Sequence, residues 1–124
     1  MLPVSFINTA DLHSLGQFVQ DGTKMMFETV ITVDKSKNDM QIDKYNKSLN
    51  EINQITALSV CEAHLKGDVG SNIITIPKID EYNIGSLMQF FMISCAVSAY
   101  LMGVNAFDQP GVEEYKNRVR ENLQ

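Results

Sequence analysis

Apolar and polar positions along the chain switch period several times, and each switch predicts an element. Residues 3–7, "PVSFI", form a short β-like run. In "NTADLHSLGQFVQDG", Leu12, Leu15 and Val19 recur at helical spacing. Thr9 or Asp11 can cap that helix and Gly22 can end it. "KMMFETVITV" is dense in apolar and β-branched residues and predicts a buried strand. "DKSKNDMQ" is polar and loop-like. From Ile42, the positions Tyr45, Leu49, Ile52, Ile55 and Leu58 step by three and four, predicting one long helix that ends near Gly67. "SNIITIPK" predicts a second buried strand stopped by Pro77, and "DEYNIGSL" opens a further helix with acids in its first turn. In "FDQPGVEEYKNRVRENL", Asp108 or Gln109 can cap, Pro110 suits the first helical position, and Val112, Tyr115, Val119 and Leu123 form a stripe.

Strands alternating with helices predict an α/β fold, with a small parallel-type sheet covered by helices. Three strands make a small sheet for this architecture, so open edges are expected, and with them a partner or a further part of the chain. Residues 84–104 carry no charge, which is long enough to span a bilayer. Ser86, Gln89, Ser94 and Ser98 interrupt the segment, and no Lys or Arg stands just beyond either end. A buried central helix of an α/β protein fits those features better than a membrane span.

Composition narrows the partners. The chain has 124 residues, 44% of them hydrophobic, and a net charge of −5. It lacks the basic clusters on which nucleic-acid binding rests. Cys61 and Cys95 sit in apolar segments without a second Cys or His at metal-ligand spacing, so both are expected as buried, reduced thiols. The first residues lack a basic region followed by an apolar one, which predicts a cytoplasmic protein.

Chemistry could reside in few places. His13 stands in the first turn of the first helix, where a structural hydrogen bond is the plain reading and proton transfer the functional one. His64, near the end of the long helix, suits the negative end of the helix dipole. Lys116 is placed to pair with Glu113 on the helix surface. "GDVGSN" leads into a strand, so it makes no phosphate cradle, and no Ser-His-Asp signature or paired metal ligands occur.

Two stretches carry a resemblance. "NTADLHSLGQFVQDGTKMMFETVI" resembles the glucose-6-phosphate isomerase segment around the active-site histidine. "IDEYNIGSLMQFFMISCAVSAYLMGVNAFDQPGVEEYK" resembles that family's C-terminal signature, and "EINQITALSVCEAHLKG" between them matches more loosely. The resemblance implies that residues 1–124 form one C-terminal segment of a sugar-isomerase (SIS-like) α/β/α domain. The family interconverts glucose 6-phosphate and fructose 6-phosphate, in glycolysis and gluconeogenesis, without metal or cofactor. By motif, His13 takes the place of the histidine that assists sugar-ring opening. Lys116 takes that of the lysine working with it, and Gln109 that of a glutamine near the sugar phosphate. The resemblance also places the proton-shuttling Glu, the phosphate loop and an active-site Arg upstream of Met1. The isolated chain is therefore expected to be inactive and to associate as a homodimer or with the missing isomerase portion. A non-catalytic binding or assembly module is the alternative. Ala10 before "DLHS" and "TALSV" in place of "AFEGT" depart from the family pattern.

Overall fold

The computed structural model describes residues 3–124. They divide into two units, Met1–Asn83 and Ile84–Gln124.

In the first unit, the β-like run at residues 3–7 forms no strand. Its last amide turns instead to the following segment, where Ile7 N donates to Asp11 Oδ2 at 2.7 Å. The Asp11 carbonyl then accepts from the amides of Leu15 at 2.9 Å and Gly16 at 3.1 Å. The second bond spans five residues, so Leu12–Gly16 is a π-helical turn, and it passes into α1 (Gln17–Asp21). The predicted helix over residues 8–22 is thus shorter and wider at its start. A π turn offsets the helical stripe, which leaves Val19 buried and Leu15 exposed. Gly22 ends α1 as expected, donating to the Phe18 carbonyl at 2.7 Å.

β1 (Glu28–Lys35) follows, later than the apolar run that starts at Lys24, and Met25 and Phe27 stay exposed. Next comes a hairpin of β2 (Gln41–Ile42) and β3 (Lys47–Ser48), closed by a 3₁₀ turn at Asp43–Tyr45 and by Asn46 in the left-handed region. The long helix predicted from Ile42 therefore begins only at α2 (Leu49–Lys66). A capping box fixes that start. Ser48 Oγ accepts from Glu51 N at 3.2 Å, and Glu51 Oε2 accepts from Ser48 N at 2.7 Å. Two orphan donors are satisfied at Ser48, which outweighs continuing the apolar spacing upstream.

β4 (Ser71–Lys78) pairs with β1 in parallel, in register from Glu28 opposite Ser71 to Lys35 opposite Lys78. α2 is the crossover that a parallel pair requires, and it packs on both strands. The sheet has two parallel strands where three were predicted. Val19, Cys61, Val69 and Ile76 are buried apolar side chains of this unit.

α3 (Glu81–Leu101) starts where Asp80 Oδ1 accepts from Asn83 N at 2.8 Å. It ends at Gly103, whose φ of 70° permits a Schellman closure. Gly103 N donates to the Tyr100 carbonyl, and Val104 N to that of Ala99. α4 (Pro110–Asn122) begins with the expected proline. The Tyr100 and Phe107 rings lie 6.3 Å apart between these helices. Contrary to expectation, α3 has no buried residue, and Cys95 on it is exposed. Within its unit only α4 and a short loop accompany α3, too little surface to enclose a helix that is apolar on every side. The stripe on α4 is likewise uncovered, with Tyr115, Val119 and Leu123 all exposed.

Candidate functional site

Gln109 and Lys116 share one helix start. Gln109 is the N-cap residue of α4, but its side chain makes no capping bond. Its carbonyl instead accepts from Val112 N at 2.9 Å and Glu113 N at 3.2 Å. Asp108, the other capping candidate, accepts from Asn105 Nδ2 at 3.1 Å. The Gln109 amide is therefore exposed beside the positive end of a helix dipole, a suitable place to meet an anionic group. Two turns on, Lys116 Nζ donates to Glu113 Oε1 at 2.8 Å. Such half-exposed pairs contribute about 0.2–1 kcal/mol, so Lys116 can leave Glu113 for another acceptor at small cost.

His13 belongs to the first unit. It lies on the π-helical turn, and its ring is exposed. π turns recur at functional sites because they displace a side chain from the helical stripe. Asp11 anchors the start of the turn, its carboxylate accepting from Ile7 N ahead of it and its carbonyl from Gly16 N across it, and Gly16 at its end is buried.

A different cluster escaped the sequence reading. His64 is not simply a dipole partner; it is 3% exposed, and its Nδ1 lies 2.9 Å from Glu28 Oε1. Ser71 Oγ donates to the same carboxylate oxygen at 2.5 Å. Glu28 and Ser71 are register partners at the start of the sheet, so the three residues tie the end of α2 to both strands. Cys61, one helical turn before His64, is buried, and that burial pushes its thiol up. His64 is buried and Glu28 and Ser71 are partly so, and the cluster reads as a structural clamp. A cavity of about 270 Å³, lined by Thr32, Asp34, Gln54, Leu58, Ile73 and Thr75, lies along the same α2-facing side of the sheet. Among the described residues, no group of His, Cys, Asp and Glu is arranged to hold a metal ion.

Comparison with known proteins gives this geometry a context. A family model described as phosphoglucose isomerase matches residues 1–123. The chain is 45% identical to glucose-6-phosphate isomerase of Leptospira biflexa, over 96% of its own length and 29% of that protein. It is 46% identical to the Mycoplasmopsis pulmonis enzyme of the same name, over 100% of its own length and 32% of that protein. A crystal structure of a Thermus thermophilus protein, described as hypothetical, superposes with a TM-score of 0.82 at 27% identity, covering 94% of this chain and 30% of that one. The chain thus spans less than a third of each of these longer proteins, and its small parallel sheet flanked by helices is that of an α/β isomerase-type domain. On the match across nearly every residue, the chain belongs to the phosphoglucose isomerase family.

Proposed function

We propose that this chain supplies the C-terminal part of a glucose-6-phosphate isomerase active site. The observation that carries the reading is the "FDQPGVEEYK" motif at the start of α4, which sets Gln109 at the N-cap and Lys116 about two turns further on. Around it, residues 1–123 match the family throughout. In this reading the substrates are glucose 6-phosphate and fructose 6-phosphate, and the setting is the cytoplasm. Opening the sugar ring moves one proton off the C1 hydroxyl of the glucose ring and delivers one to the ring oxygen. His13 and Lys116 are the groups assigned to those oxygens, with one accepting while the other donates. Gln109 is assigned to the sugar phosphate, where an amide N–H at a helix start meets an anionic oxygen. The transfer between C1 and C2 needs a carboxylate, assigned to the isomerase portion that precedes this segment in longer relatives. In the assembled enzyme, a homodimer carries the site, with His13 reaching the neighbouring subunit.

The alternative role, an assembly module without turnover, draws support from the exposed apolar surface of α3. A coupled assay of fructose 6-phosphate turnover separates the two. The purified chain is measured alone and mixed with a polypeptide carrying the upstream portion of the Mycoplasmopsis pulmonis enzyme. Turnover by the mixture and not by the chain alone supports the catalytic reading. A stable complex without turnover supports the module.

A further inference from the structure

α1, which carries the π turn of His13 forward, lies against α2, and Gly67 at the end of α2 faces Gln20 of α1. Gly67, the residue that ends α2, has φ −89° and ψ 16°, a negative-φ bridge conformation that residues with a Cβ also adopt in turns. Backbone geometry therefore does not call for glycine there. Space does. A Cβ built at Gly67 would lie 2.8 Å from Gln20 Nε2, 3.0 Å from the Gln20 carbonyl oxygen and 3.3 Å from the His64 carbonyl oxygen. The side-chain amide can swing away, but the two carbonyls belong to α1 and α2 themselves. The α2 side is fixed, because His64 is held by Glu28 and its carbonyl also accepts from Val69 N at 2.9 Å. α1 is the element that must yield.

We propose that Gly67 is a positioning residue for His13: its missing side chain sets how closely α1 seats on α2, and through α1 where the imidazole stands. The proposal rests on the assignment of His13 to catalysis. Ordinary van der Waals contact begins about 0.4 Å beyond the carbonyl distance given above, so a methyl at position 67 displaces Gln20 by several tenths of an ångström. α1 and the π turn run without a break from Gln20 back to His13, about 10 Å at helical rise, so the shift is transmitted as translation or tilt. A misplacement of about 1 Å can cost on the order of 10²-fold in rate. A shift about half that size is expected to lower kcat about tenfold.

The test uses a full-length chimera in which this chain replaces the matching segment of the Mycoplasmopsis pulmonis isomerase. Gly67→Ala is expected to lower kcat about tenfold with KM for fructose 6-phosphate unchanged, and to shift the His13 ring proton resonances while the far-UV spectrum is retained. Adding Gln20→Ala removes the side-chain half of the clash and should return part of the lost kcat. Retention of full kcat by Gly67→Ala, in a chimera that His13→Ala impairs, overturns the proposal. If His13→Ala itself leaves turnover intact, the catalytic assignment fails first, and the positioning role for His13 fails with it. If Gly67→Ala and the double variant both fail to fold, Gly67 serves folding and the proposal is likewise overturned.

Discussion

Replacing His64 by alanine should be among the most destabilising single changes in the first unit. The ring is 3% exposed, and its bond to Glu28 joins the crossover helix to the first residue of the parallel pair. Removing it takes one hydrogen bond to a charged group, about 1.5–3 kcal/mol. It also leaves a carboxylate that is 10% exposed with Ser71 as its remaining side-chain donor. Breaking buried pairs from one side typically costs about 3–5 kcal/mol. Because Ser71 still serves Glu28, the expected loss is about 2–4 kcal/mol, a large share of the ~5–15 kcal/mol that holds most domains folded. Urea unfolding followed by far-UV circular dichroism measures it. With a slope of about 1–3 kcal/mol per molar, the midpoint should fall by about 1 M or more. Glu28→Gln should cost less, because the amide still offers an oxygen to Ser71. In the double variant the two losses should fall short of adding by about 1 kcal/mol or more. A loss below about 1 kcal/mol for His64→Ala, or strictly additive losses, would refute the clamp.

Three further outcomes follow from the geometry. Lys116→Gln should change stability by less than about 1 kcal/mol, since the Glu113 pair is solvent-exposed; equilibrium unfolding checks it, and a larger loss means Lys116 holds the fold. A thiol reagent under native conditions should label exposed Cys95 quickly and Cys61 slowly, because Cys61 is buried and its thiol is pushed up; equal rates would contradict the burial. The Asn83 amide, with Lys78 beside it, holds the Asp80 carboxyl below the usual range. This cap therefore contributes fully above the ordinary carboxylate value of about 3.9 and is lost as pH falls through the lower folded value. Protection of the first-turn amides of α3, taken relative to their intrinsic exchange rates, should fall over that interval, and Asp80→Ala should remove that change; protection that does not vary with pH in the parent protein would contradict the cap.

Local chemistry separates the elements legible in the sequence from those that are not. The parallel pair and its helical crossover follow from short-range patterns, with apolar runs marking "ETVITV" and "SNIITIP" and a clear stop at Gly67. The start of α2 was equally local, since Ser48 and Glu51 spell a capping box, but apolar spacing upstream of it gave the stronger impression of a helix. The predicted strand at residues 3–7 finds no partner strand, and strand formation depends on one. Glu28 and His64 are 36 residues apart, and no period in the sequence links them. The apolar composition of α3 predicts a core helix. Composition states that a helix needs cover, not which polypeptide provides it. The functional assignments of His13, Gln109 and Lys116 came from motif resemblance. Their local geometry, an exposed imidazole on a π turn and a lysine in a weak surface pair, is compatible with chemistry without requiring it.

If this segment serves an isomerase site, it does so through its own His13 and Lys116. The chimera with the Mycoplasmopsis pulmonis enzyme tests it by steady-state turnover of fructose 6-phosphate. The chimera should be active, and His13→Ala and Lys116→Ala should each lower kcat by about 10²-fold or more, the scale of a lost acid or base, with unfolding midpoints unchanged. A folded chimera without turnover, or one that keeps full activity in both variants, would contradict it.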